Sequence, residues 1–173
     1  MRQCIPREAV VTTDVGAHKI FTGLNWPTYT PNSYMLSNGL SSMGFGLPGA
    51  IAAARITRET TVCITGDGGV AMVMGELALL RDLNLPVVMV VMNDGALDLI
   101  RSAQVRRGQP IFGTEFVNPD FEFIARGFDL EFFRVSDRAT CTEAIGQAVA
   151  NGRPTVIEAL IDPIGYPTTP KTI

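Results

Sequence analysis

The chain has 173 residues, of which 46% are hydrophobic and 18% charged, and its formal net charge is -3. This length suits a single domain over residues 1–173 with a proper core, and the composition excludes a disordered or low-complexity polypeptide. The 14 basic residues do not cluster beyond Arg106-Arg107, so neither nucleic acid nor an anionic membrane surface is expected as a partner.

Periodicity and breakers predict strands alternating with helices. A β-branched run at 9–13 ends at Asp14-Val15-Gly16, and a weaker strand at 33–36 ends at Ser37-Asn38-Gly39. Residues 44–55 are small and apolar and read as a helix packed close to a sheet. A strand at 61–65 ends at Gly66-Asp67-Gly68-Gly69, after which Val70, Val73, Met74, Leu77 and Leu80 repeat at helical spacing. The continuous apolar run at 86–92 reads as a strand covered on both faces and ends at Asn93-Asp94-Gly95. A short helix at 97–104 follows, then a loop at 106–118 long enough to be a functional lid. Further on come a helix at 119–126 with Pro119 at its start, a strand at 130–135, a helix to 150 capped by Asp137 and a last strand at 155–161. The tail, 162–173, carries three prolines and reads as irregular.

Cys4, Cys63 and Cys141 are far apart and form no CxxC pair, which speaks against a zinc site or a disulfide framework and fits a reducing cytoplasm. The first residues are too polar for a signal peptide, and the apolar run at 85–92 is too short to span a bilayer.

The alternation implies a three-layer α/β/α fold on a doubly wound parallel sheet of about six strands. In such sheets ligands bind beyond the carboxyl ends of the strands. Four consecutive strands end in polar or Gly-rich loops, so those loops are expected to converge. Gly66-Asp67-Gly68-Gly69 lets the backbone approach a ligand, and the amides opening the next helix favour a phosphate. A carboxylate such as Asp67 repels that phosphate unless a cation lies between them. Mg²⁺ suits this, taking oxygen ligands from one or two carboxylates and from phosphates. Asp94, 27 residues after Asp67, can supply the second oxygen. Taken singly, Gly-Asp-Gly and Asn-Asp-Gly are more often plain turns, and Met43, Met74, Glu76 and His18 each have an ordinary packing or surface role open to them.

As a set, these motifs resemble the carboxy-terminal, pyrophosphate-binding domain of thiamine-diphosphate enzymes of the acetolactate-synthase type. Gly66-Asp67-Gly68, 24 residues, then Asn93-Asp94 resembles the family's Gly-Asp-Gly…Asn-Asn signature. The stretch from Ser37 through Met43 to Ala50 resembles the segment with the cofactor-supporting methionine, and Asp14-Val15-Gly16-Ala17-His18 resembles an Asp-Val-Gly-Gln-His loop. Gly75-Glu76-Leu77 and Asn84-Leu85-Pro86 match as well. The likeness runs from about Pro6 to Pro163. It implies that Asp67, Asp94 and the main-chain oxygen of Ala96 bind Mg²⁺. Gly68, Gly69 and His18 would face the diphosphate, Gly16 and Gly66 would also be cofactor-binding, Met43 would hold the cofactor in a V shape, and Ser41 and Ser42 would lie near the aminopyrimidine. Leu97, Asp98 and Leu99 would border the diphosphate and the substrate side. Three positions depart from the usual pattern: Asp94 for Asn, Gly69 for Ser and Ala17 for Gln.

In the family a second domain, usually of another subunit, holds the pyrimidine ring and supplies an activating glutamate. This chain has room only for the first, so it would need a pyrimidine-binding domain or subunit, in a homo- or hetero-oligomer, for turnover. As an isolated chain it is expected to be inactive, with no catalytic residue of its own. The implied activity is a carboligase or decarboxylase (transferase or lyase) acting on a 2-keto acid; FAD is possible but not indicated by this domain. Alternatives are a non-catalytic cofactor-binding or interaction module, and one subunit of a split decarboxylase of sulfopyruvate or phosphonopyruvate type. A nicotinamide-binding domain fits less well, because no GxGxxG follows the first strand.

Overall fold

The computed structural model describes residues 1–162, so the expected irregular tail lies, from residue 163 onward, outside the described residues. Six strands are present: β1 Val10–Thr13, β2 Tyr34–Leu36, β3 Thr61–Gly66, β4 Val87–Asn93, β5 Glu131–Val135 and β6 Thr155–Leu160. They form one sheet in the order β2-β1-β3-β4-β6-β5, and every neighbouring pair is parallel. The helices are α1 Ala17–Asn25, α2 Gly46–Thr57, α3 Asp67–Val73, α4 Leu77–Leu83, α5 Asp98–Arg106, α6 Phe121–Gly127 and α7 Arg138–Asn151. Among the described residues no helix is long and apolar enough to cross a membrane.

Strand alternation divides the core in two. Cys63, Val87, Met89, Val91 and Val156 face one way and meet Leu47, Ala50 and Ala54 of α2, Val70 of α3, Leu77 and Leu80 of α4, and Phe121 of α6. Val11, Val62, Ile64, Val88, Val90 and Ile157 face the other way and meet Ala144, Ile145 and Ala148 of α7. The result is three layers, with β3 and β4 buried on both faces, which is why β4 reads as an unbroken apolar run. From β1 the chain steps outward to β2 and then crosses to β3 on the opposite side of β1. The strand order reverses there, leaving a crevice between the carboxyl ends of β1 and β3.

The structure adds one helix to the predicted elements and corrects others. Helix α1 stands where no helix is predicted; its apolar positions Ala17, Ile20, Phe21 and Leu24 recur at helical spacing, yet only Ala17 and His18 are buried, while Phe21 and Leu24 are exposed. The helix expected as one element after Gly69 is split, because α3 ends at Val73 and Met74–Glu76 tightens into a 3-10 turn before α4. Gly75 lies in that turn, and glycine costs a helix interior about 1 kcal/mol relative to alanine. Helix α6 starts at Phe121 rather than at Pro119, since Asp120 is the cap: its Oδ1 accepts from the N–H of Glu122 at 2.9 Å and of Phe123 at 3.3 Å.

Candidate functional site

The loops after β1, β3 and β4 and the loop before α2 enclose an open cleft of about 250 Å³ at the reversal point. Gly16, His18, Ser41, Met43, Gly66, Asp67, Gly68, Gly69, Asp94, Ala96, Leu97, Asp98 and Leu99 all line it, joined by Met92 and Ile100. Ser42 does not line it and lies exposed on the loop. The hydroxyl of Ser41 is drawn into its own turn, donating to the carbonyls of Ser37 and Asn38 at 3.3 and 3.4 Å.

One buried carboxylate organises this end of the sheet. Asp14 Oδ1 accepts from the N–H of Val15 at 2.8 Å and of Phe45 at 3.2 Å. Its Oδ2 accepts from the N–H of Gly44 at 2.9 Å and from Thr65 Oγ1 at 3.2 Å. These bonds tie the end of β1 to the loop carrying Met43, and Gly44 takes the φ of +88° that the loop needs there. The Met43 methyl reaches over Gly68, where a Cβ would meet it at 3.2 Å. At Gly69 a Cβ would run into Asp14 Oδ2 and approach Thr65 Oγ1 to 2.9 Å. The absence of serine at 69 is therefore a packing requirement of this chain.

His18 folds back over the glycines of two loops. A Cβ on Gly16 would meet its Cε1 at 2.6 Å, and a Cβ on Gly66 would meet the same atom at 3.2 Å. Burial pushes the imidazole pKa down to about 4, against the opposing pull of Asp14 and Asp67, so the ring is neutral at pH 7. Its Nε2 is buried with no hydrogen-bond partner among the described residues. A buried polar atom left unsatisfied at a cleft wall fits a ligand group that would complete it.

Asp67 is 3% exposed. Its Oδ1 accepts from the Gly68 N–H at 2.8 Å; its Oδ2 accepts from the Gly95 N–H at 2.8 Å and from Asn118 Nδ2 at 2.7 Å. Asp94 Oδ1 accepts from the Ala96 N–H at 3.1 Å. Burial and then the charge of Asp67 raise Asp94 to about 6, the condition a bridging cation relieves. Among the described residues no three His, Cys, Asp or Glu side chains cluster as a metal cage. Two carboxylates and a main-chain oxygen nonetheless suit Mg²⁺, which draws the rest of its octahedron from water and phosphate. Asp98 is engaged elsewhere: Arg101 Nε donates to it at 2.8 Å and Ser102 Oγ at 3.2 Å.

Sequence reasoning missed Asn118, Glu158 and Arg134. Asn118 Nδ2 also donates to Asn93 Oδ1 at 2.8 Å, Asn93 Nδ2 donates to Glu158 Oε1 at 2.7 Å, and Arg134 Nε donates to Glu158 Oε2 at 2.7 Å. The one signal for Asn118 was its place at the end of the long loop, directly before Pro119. The last part of that loop is pinned down. Leu97 N–H donates to the Thr114 carbonyl at 2.7 Å, Phe116 N–H donates to the Gly95 carbonyl at 3.0 Å, and Ala96 and Glu115 form an antiparallel bridge.

Fold and cleft together define the class: a doubly wound α/β domain with a ligand cleft at the strand ends where the topology reverses. Residues 14–159 match the family described as "Thiamine pyrophosphate enzyme, C-terminal TPP binding domain". The chain is 33% identical over 162 residues to the acetolactate synthase isozyme 1 large subunit of Escherichia coli, covering 92% of this chain and 29% of that protein. It is 32% identical over 165 residues to a probable acetolactate synthase large subunit of Methanococcus aeolicus, covering 92% and 27%. The Lactococcus lactis acetolactate synthase large subunit is 29% identical over 160 residues, covering 89% and 27%. The chain belongs to the thiamine pyrophosphate enzyme family, as an acetolactate-synthase-like C-terminal TPP-binding domain. It spans less than a third of the length of these relatives.

Proposed function

We propose that this chain holds the diphosphate of thiamine diphosphate and a Mg²⁺ ion, as the pyrophosphate-binding half of a 2-keto-acid carboligase or decarboxylase. The observation that carries the reading is the pairing of Asp67 with Asp94 at the mouth of the cleft, where two carboxylates face the space that the phosphate-accepting loops surround. Asp67, Asp94 and the Ala96 carbonyl would hold the metal. The neutral His18 would offer its free Nε2 to the diphosphate, and Gly66 and Gly16 leave room for that approach. Met43, fixed through Gly44 and Asp14, would support the cofactor from below. When bound, the cofactor supplies the electron sink for decarboxylation of a 2-keto acid. This chain's residues would bind it and orient it. Turnover would require a pyrimidine-binding domain from elsewhere in the assembly.

Calorimetry tests the reading. Thiamine diphosphate should bind the full chain in the presence of Mg²⁺ and not in chelator, and Asp67→Ala should abolish binding, because the diphosphate then meets Asp94 without a bridging cation. Binding that survives either change would overturn the metal bridge.

A further inference from the structure

Asp67 has its two oxygens in different states. A carboxylate offers about four lone-pair sites, two on each oxygen. Oδ2 already accepts twice, from the Gly95 N–H at 2.8 Å and from Asn118 Nδ2 at 2.7 Å. Oδ1 accepts once, from the Gly68 N–H at 2.8 Å, and keeps one site open. A cation reaching Asp67 therefore finds a single available lone pair.

The amide that closes Oδ2 comes from 51 residues away in sequence and is oriented by a chain of unambiguous partners. Glu158 is 4% exposed and is anchored by Arg134 at 2.7 Å. As a carboxylate it can only accept, so Asn93 must turn its Nδ2 toward it, at 2.7 Å. Asn93 Oδ1 is thereby left facing Asn118, whose Nδ2 lies 2.8 Å from it and 2.7 Å from Asp67 Oδ2. The reverse orientation of Asn118 would set oxygen against oxygen at both contacts. Asn118 Oδ1, meanwhile, is buried with no partner among the described residues. Leaving a buried acceptor unpaired costs about 1–3 kcal/mol, so the fold maintains this amide at a cost to its own stability.

Resting on the metal reading given above, we infer that Asn118 is a positioning residue that restricts Asp67 to monodentate coordination and so selects Mg²⁺ over Ca²⁺. Mg²⁺ demands near-ideal octahedral geometry at short range, whereas Ca²⁺ takes six to eight oxygens and accepts bidentate carboxylates. Blocking Oδ2 removes the bidentate mode and fixes the direction of the remaining lone pair. Without the amide, Oδ2 regains a lone pair and Asp67 can turn to chelate the larger ion.

The test is the affinity of the full chain for thiamine diphosphate, measured by calorimetry at saturating Mg²⁺ and, separately, at saturating Ca²⁺. It is run on the unaltered protein, Asn118→Ala and Asn118→Ser. The serine variant keeps a small polar group in case alanine fails to fold, but its hydroxyl is too short to span Asp67 and Asn93. Loss of a partner to a metal ligand commonly costs 10–100-fold in affinity. The Mg²⁺-supported affinity should fall by about 10-fold or more while the Ca²⁺-supported affinity falls less or rises, so that the ratio moves toward Ca²⁺. If the unaltered protein binds the cofactor with neither metal, the metal reading itself fails and this inference goes with it. If the unaltered protein binds normally and both metals weaken equally in the variants, the metal reading stands and the selectivity role is overturned. Failure of both variants to fold would overturn it too, since the amide would then be holding the chain together rather than aiming a ligand.

Discussion

Asp94 carries a charge that the apo protein tolerates poorly. Burial and the neighbouring Asp67 raise its carboxyl from 3.8 to about 6. The stability linked to a group with a raised folded pKa is present below the unfolded value and lost as pH rises through the folded value. In metal-free protein the penalty is therefore absent near pH 4 and full above pH 6. Asp94→Asn removes the charge and can still accept from the Ala96 N–H. It should melt higher than the unaltered chain at pH 7.5, with the advantage gone at pH 4; equal melting temperatures at pH 7.5 would mean that burial and the charge of Asp67 do not penalise the Asp94 carboxylate as described. Gly69, on the loop after β3, gives the opposite result. Serine is usual there in the family, yet its Cβ would collide with Asp14, which cannot swing away without releasing Gly44, Phe45 and Thr65. Gly69→Ser should destabilise the chain by about 1–3 kcal/mol, the usual cost of overpacking, in a denaturant melt. Unchanged stability would show that Asp14 has slack that its hydrogen bonds do not suggest.

At the scale of elements, what could be read from sequence depended on whether the information was local. β4 was plain because Val87–Met92 is apolar without interruption and the strand is covered on both faces. The cleft residues were plain because each central strand ends in its own polar or glycine-rich loop, so the topology alone brings Asp67 and Asp94 together. Helix α1 was legible but missed: Ala17, Ile20, Phe21 and Leu24 recur at helical spacing, although Phe21 and Leu24 are exposed in the fold. Asn118 was invisible: its partners Asp67 and Asn93 are 51 and 25 residues away, and only the folded-back loop reveals the contact. The start of α6 was misplaced because Pro119 is a common first helical residue, but Asp120 offers a side-chain acceptor and takes the cap. Asp120→Ala should cost about 1 kcal/mol through loss of that cap, detected as a lower denaturation midpoint. A larger loss would assign weight to its exposed pairing with Arg134 at 3.6 Å, which surface ion pairs seldom carry.

At the scale of the whole molecule, the fold builds an open cleft, which in the proposed reading is one wall of a catalytic chamber completed by a pyrimidine-binding domain. The cleft is lined at its polar end by Asp67, Asp94 and Asp98. Asp67 is held by Gly68, Gly95 and Asn118, and Asp98 is paired with Arg101 and Ser102. Asp94 is, in the proposed reading, a metal ligand beside the diphosphate. Among the described residues no glutamate lines the cleft, and Glu76, at the end of the turn between α3 and α4, is outside its wall. A carboxylate that activates the pyrimidine end must bond it directly, at roughly 2.6–3.2 Å, and no acidic residue of the cleft is free to do so. Leu40, Phe112 and Val117 are 89%, 83% and 98% exposed, and the proposed partner domain would cover apolar surface of this kind. The purified chain, given thiamine diphosphate, Mg²⁺ and pyruvate, should therefore release no CO₂ above the rate of free cofactor. Addition of a pyrimidine-binding chain that pairs with this one should restore turnover. Robust CO₂ release by this chain alone would place an activating acid within its own 173 residues, and would require that one of the three aspartates leave its present partners to reach the pyrimidine.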